Sequence, residues 1–200
     1  MFFIGSIKAF IARRAAAKQL RIDKENACAL AVQAIQAQDV EELTAALNRD
    51  DWSMRQVWAL FMSAIDSDNV EIFALVLDSV YDGDPNRTLY LREDTGPEGP
   101  SFLTQISLLS RAITQRKQNV AIWLAKNPRT DITLTNQHTS FGYEGGGFLS
   151  SGHSTTKERR DPAPVALAVA NQMPLVAAAI YERIEEDAHS RKLAALTVSN

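Results

Sequence analysis

The chain has 200 residues, 46 percent of them hydrophobic, and a formal net charge of −3, which fits one domain with a sizeable core and excludes a disordered or fibrous chain. Its most apolar runs are short or interrupted by polar residues, whereas a bilayer span needs about 20 consecutive apolar residues, so no transmembrane helix is expected. A single cysteine, Cys28, excludes an internal disulfide and points to a small apolar side chain in a reducing compartment, taken here as the cytoplasm.

In chain order, the first segment is basic. Residues 1–22 carry Lys8, Arg13, Arg14, Lys18 and Arg21 with no acid, which leaves the remainder at −8. Met1-Phe2-Phe3-Ile4 precedes these charges rather than following them, the reverse of a secretory signal. Phe3, Ile7, Phe10 and Ile11 fall at helical spacing, so residues 1–24 are expected as a basic helix capping one end of the domain. The alternative is a membrane-surface or acidic-partner helix. Nucleic acid is not expected as a partner, because no basic stripe continues beyond this helix.

Four stretches then share one spacing of small and large apolar residues: Ala34 to Leu47, Ala64 to Leu77, Ala112 to Ala125 and Ala168 to Tyr181. Each opens on a small-apolar pair, passes through a polar stretch and resumes as an apolar face, which predicts two short helices joined by a tight turn. Asp51 or Ser53 can cap the helix carrying Trp58 and Phe61, Asp66-Ser67-Asp68 supplies a turn before the helix carrying Phe73 and Leu77, and Asn127-Pro128 ends the helix carrying Trp123. The starts lie 30, 48 and 56 residues apart, so the two longer intervals hold insertions, 81–106 and 136–162. The first, with Asp82-Gly83-Asp84-Pro85 and Gly96-Pro97-Glu98-Gly99-Pro100 around Thr88-Leu89-Tyr90-Leu91-Arg92, reads as a loop with room for one strand. The second, with Gly145-Gly146-Gly147 and Ser150-Ser151-Gly152-His153, reads as a long functional or disordered loop.

Ala163-Pro164-Val165-Ala166-Leu167-Ala168-Val169 and, more weakly, Ser107-Leu108-Leu109-Ser110-Arg111-Ala112-Ile113 resemble the Thr-Pro-Leu-His-x-Ala-Ala opening of the ankyrin repeat. Trp123-Leu124 followed by Thr130-Asp131-Ile132-Thr133 is similar to that family's second helix and hairpin. The resemblance implies an all-α fold, an ankyrin-like solenoid of about four helix-turn-helix repeats with two long loop insertions; a generic helical-hairpin solenoid is the alternative. It also implies a concave groove lined by Gln33, Gln36, Ser63, Asp66, Arg111, Thr114, Gln115 and Asn171. That lining is polar and nearly neutral, which suits a protein or extended peptide. Tyr90, Phe141, Tyr143 and Phe148 stand in the insertions where no helical period requires them, and are expected either to anchor a partner or to pin their own loops.

Signatures of chemistry are sparse. Nucleotide-binding glycine motifs, a His-Glu-x-x-His helix and a Gly-x-Ser-x-Gly elbow are all missing from the sequence. His138 and His153 with Glu144 or Asp161 match no metal-ligand spacing, and no metal, cofactor or catalytic residue is expected. The expected function is therefore a non-enzymatic protein-binding module, an adaptor, inhibitor or immunity-type protein. The rival is an enzyme or effector with Glu144, His153 and Asp161 assembled in the second insertion.

Overall fold

The computed structural model describes residues 2–48, 52–94, 101–144 and 153–198, with side chains over 13–48, 52–90, 102–141 and 156–194. Eight helices and four strands are described: α1 (Phe2–Ala37), α2 (Val40–Leu47), α3 (Met54–Ser67), α4 (Val70–Tyr81), β1 (Leu89–Asp94), β2 (Ser101–Ile106), α5 (Leu108–Thr114), α6 (Gln118–Lys126), β3 (Gln137–Glu144), β4 (His153–Arg160), α7 (Pro164–Ala170) and α8 (Pro174–Val198). The helices follow one another in pairs, α1/α2, α3/α4, α5/α6 and α7/α8. Second helices pack in a row, α2 on α4, α4 on α6 and α6 on α8, while α1 packs on α3, β1 on α3 and α5 on α7.

The expected all-α fold is wrong, and the reason lies in the two insertions. Each forms an antiparallel hairpin instead of a loop, and the hairpins join through β2 and β3 into a four-stranded sheet of order β1-β2-β3-β4. Leu89 faces Ile106, Ser101 faces Phe141, and Gln137 faces Arg160. Asp82-Gly83-Asp84-Pro85 lies between α4 and β1, and the other turn-rich clusters, within residues 95–100 and 145–152, are outside the described residues. The protein is a mixed α/β molecule.

Tight turns join the helix pairs through one shared backbone device. The residue four places after each repeat-opening alanine takes a left-handed conformation: Gln38 (φ 57°), Asp68 (φ 50°), Arg116 (φ 57°) and Gln172 (φ 58°). In three of the four, the amide of the following residue returns to the alanine carbonyl: Asp39 to Ala34, Lys117 to Ala112 and Met173 to Ala168, each at 2.9 Å. Ala34, Ala64, Ala112 and Ala168 are fully buried, because a larger side chain there would push the turn off its own helix. Left-handed backbone costs a residue with a Cβ roughly 1–2 kcal/mol. Arg116→Gly and Gln172→Gly are therefore expected to raise stability by about 0.5–1 kcal/mol each, read as a higher urea midpoint.

Asp68→Gly should do the opposite despite the same φ. Lys117, at the N-terminus of α6, makes no side-chain cap, and the Val120 amide donates instead to Asp68 Oδ1 at 3.1 Å, across from the neighbouring pair. Removing that carboxylate uncaps α6 at a cost of about 0.5–2 kcal/mol. Four N-termini are capped locally, α2 by Asp39, α4 by Asn69, α5 by Ser107 and α3 by the reciprocal capping box of Ser53 and Gln56, while α7 follows Ala163 with no side-chain cap.

Phe61, Phe73, Leu60, Ile65, Ile72 and Leu77 fill the centre of the core. Phe61 stacks on Tyr81 (4.8 Å between ring centroids) and meets Phe73 edge-on (6.1 Å), and Phe73 in turn meets Trp123 of α6 (5.8 Å). Cys28 is half-buried on α1, and burial pushes its thiol up, away from the reactive thiolate form. Of the segment expected as a cap, residues 2–24 are the start of α1, and the described side chains from Arg13 to Asp23 are exposed.

Candidate functional site

The residues carried over to the groove come from the ends of the first helices. Gln33 and Gln36 lie on α1, Ser63 and Asp66 on α3, Arg111 and Thr114 on α5; Gln115 and Asn171 are the residues that close α5 and α7. The structure brings five of the eight together. Gln36, Ser63 and Asp66, with Ile35, Gln38 and Ser67, line a cavity of about 270 Å³ between the first two pairs. Beyond it, with the Gln115 amide turned to satisfy its neighbours, that residue donates to Asp66 Oδ1 at 3.0 Å and accepts from Arg111 Nη2 at 2.7 Å. Lys117 Nζ donates to the Asp66 carbonyl at 2.7 Å and stands 3.8 Å from its carboxylate. One carboxylate thus faces the Lys117 ammonium directly and Arg111 through the bridging Gln115 amide, across the junction of the second and third pairs, and Arg111 keeps donors beyond the one bonded to Gln115.

The other three groove residues do not join. Gln33 is exposed on α1 away from that cavity. Thr114 Oγ1 donates to the Ser110 carbonyl at 2.8 Å and Asn171 Nδ2 to the Leu167 carbonyl at 2.9 Å, so both side chains fold back on their own helices.

The insertion aromatics stand on strands. Tyr90 of β1 and Phe141 of β3 are 43 and 45 percent exposed. Register puts them on one face: Tyr90 pairs with Gln105, Gln105 with Gln137, and Phe141 is four residues beyond Gln137. Two interstrand steps and four residues separate them, about 10 Å across the sheet and about 13 Å along it. Tyr143 lies in β3 opposite Ser154, its side chain outside the described residues, as is all of Phe148.

The other face carries residues that sequence reasoning missed, beside His138, which it weighed only as a metal ligand. Phe102, Thr104, His138, Ser140, Lys157 and Arg159 line a depression of about 350 Å³. Alternation through Phe102-Leu103-Thr104 was the available signal. A larger apolar cleft of about 610 Å³ runs between α4 and α6, over Val70, Ile122, Trp123 and Pro128, with Asn119, Lys126 and Asn127 at its rim. Trp123 reads as core from helical spacing, and one edge of it is core.

The sheet root is bound to the helices by a buried polar junction. Asn136, 7 percent exposed, accepts the Ser107 amide at 3.0 Å and donates to Asp161 Oδ2 at 2.9 Å, while its carbonyl accepts the Asp161 amide at 3.0 Å. Arg159 and His138 Nε2 stand 3.3 and 3.1 Å from Asp161 Oδ1, and His138 Nδ1 is 3.3 Å from Thr104 Oγ1. Burial works against the Asp161 charge, but the Asn136 bond, His138 and Arg159 outweigh it and hold the carboxyl below its ordinary value. The rival catalytic set does not assemble around it. Glu144 pairs with His153 at the opposite end of the β3/β4 ladder, about 25 Å from Asp161 by strand rise.

Among the described residues no three of His, Cys, Asp and Glu converge as a metal site, and no helix is long and apolar enough to cross a membrane. No family model, curated protein or solved structure matches the chain.

Proposed function

We propose that the protein is a non-enzymatic interaction module of ankyrin-like helix pairs that binds a protein partner across the groove and the Tyr90/Phe141 face of the sheet. The observation that carries this reading is the exposure of Tyr90 and Phe141 on one face of a sheet whose root is pinned by Asn136 and Asp161. Aromatic rings on a rigid support bury a large area at small entropic cost, the usual property of an interface anchor. The groove adds selectivity through Asp66 and Arg111, which select a partner of complementary charge pattern without a net charge of their own. A lone cysteine suits work in a reducing compartment such as the cytoplasm, as an adaptor, inhibitor or immunity-type protein.

Capture from the native host's lysate, identified by mass spectrometry, tests this with the intact chain, a Tyr90→Ser/Phe141→Ser variant and an Asp66→Lys variant. The expected result is a stoichiometric partner for the intact chain and recovery lowered about 10- to 100-fold in each variant, the effect of losing a hot-spot contact. Equal recovery by all three, or no partner for any, defeats the reading.

A further inference from the structure

We infer that the two ends of the stack are complementary and that a second copy of this chain docks head to tail, its first helix pair on the fourth pair of its neighbour. The groove and the sheet face play no part in this contact, so it stands apart from the proposed function. The same positions differ between the fourth repeat and the first three. Directly after the opening alanine, Ile35, Ile65 and Ile113 are all fully buried, yet Val169 is 61 percent exposed. At the last position of the unit, Leu47, Leu77 and Ala125 are at most 3 percent exposed, yet Tyr181 is 54 percent exposed. Ile184, one turn further along α8, is 43 percent exposed. The fourth pair therefore offers to solvent the positions that the first three pairs keep buried.

The opposite end shows the counterpart. Four residues before the opening alanine, Leu60 and Leu108 are fully buried and Pro164 is buried, whereas Leu30 on α1 is 48 percent exposed. What covers such an exit face is thus visible inside the molecule: the entry face of a following pair. A second copy supplies one, with Leu30 in the place of Leu60 or Leu108.

Charge agrees with this arrangement. The two helices of a pair run in opposite directions, so the start of a first helix and the end of a second leave their pair on the same side. The overhang of α1 exposes Arg13, Lys18 and Arg21, together with the apolar Leu20 and Ile22. The overhang of α8 exposes Glu182, Glu185 and Glu186 in its first turns, nearest the stack, and Arg191 and Lys192 further out. Head-to-tail stacking sets the basic overhang of one copy beside the acidic first turns of the α8 overhang of the next, and the contact is then weakened by salt. Because the two faces differ, the interface is heterologous and does not close at two copies.

Light scattering behind size exclusion, across a dilution series of the full chain, tests this with two blocked variants. Val169→Glu/Tyr181→Glu blocks the exit face and Leu30→Glu the entry face; all three residues are exposed, and circular dichroism checks that each variant is folded. The expected results are a mass for the wild type that rises with concentration, monomers for each variant alone, and a dimer when the two variants are mixed, since each retains the face the other lacks. A wild type that stays monomeric at about 0.1 mM, where micromolar affinity is saturating, overturns the inference. So does a mixture that stays monomeric, or a Leu30→Glu variant that still self-associates, which would indicate a symmetric contact.

Discussion

Phe61→Ala is expected to cost about 3–5 kcal/mol, the range for deleting a fully buried ring that neighbours cannot replace. Phe61 has no exposed surface and joins α3 to Tyr81 and Phe73 of α4, and Phe73 passes the contact to Trp123 of α6. The void therefore opens inside the second pair, behind its junction with the third, where polar side chains hold much of the contact: Asp68 on the Val120 amide, and Asp66 with Gln115 and Lys117. Those groups keep their geometry only while the apolar wall behind them holds. Against a total stability of about 5–15 kcal/mol, the loss takes a large part of the whole. Denaturant titration followed by tryptophan fluorescence measures it. A cost below about 1 kcal/mol would show that the ring cluster is not the centre of the fold.

Asn136→Ala is expected to cost about 1–3 kcal/mol, and to do so through an amide rather than a cavity. Without the Asn136 side chain, the Ser107 amide, buried at the start of α5, has no acceptor, and Asp161 loses its donor on Oδ2. Asn136→Asp keeps the acceptor for Ser107 but sets two carboxylates against each other, so it should not restore stability at neutral pH. Acid should reproduce part of the effect. Asp161 has a folded pKa below its unfolded value of about 3.9, so its contribution is fully present above that value and lost as pH falls through the lower folded value. A thermal melt of the wild type should fall over that interval, and the Asn136→Ala variant should fall less steeply. Equal slopes would remove Asp161 from the account.

The helix pairs were legible because their information is local. Alanine at a turn and an apolar face at a 3.6 period leave a mark within fifteen residues, and Ser53, Asp66-Ser67-Asp68 and Asn127 mark the breaks. Of the sheet, only the alternating run Thr88–Arg92 was legible, as room for one strand where β1 stands; the rest was not, for two physical reasons. The described side chains of β4, Thr156 to Arg160, are exposed on both faces, and Ser154-Thr155-Thr156-Lys157-Glu158 has no apolar alternation to reveal a period of two. The sheet's central pairing joins Ser101 to Phe141, a contact between insertions that no window spans. The groove shows the same divide. Repeat position alone named Asp66, Arg111 and Gln115, but their mutual bonding depends on how neighbouring pairs are set against each other. Thr114 and Asn171 went astray because a short polar side chain at a helix end can bond its own carbonyls.

The seam between β2 and β3 has a mechanical consequence. In a linear array each unit touches only its neighbours, so an end can fray and unfolding can travel one unit at a time. Here β2 precedes α5/α6 and β3 follows it, and their ladder closes a ring of backbone around the third helix pair. That pair cannot unravel without parting the ladder, and the ladder also ties the second pair to the fourth through β1 and β4. Hydrogen exchange under native conditions should therefore show the last three pairs opening as one cooperative block, with α2 and the overhang of α1 exchanging earlier and on their own.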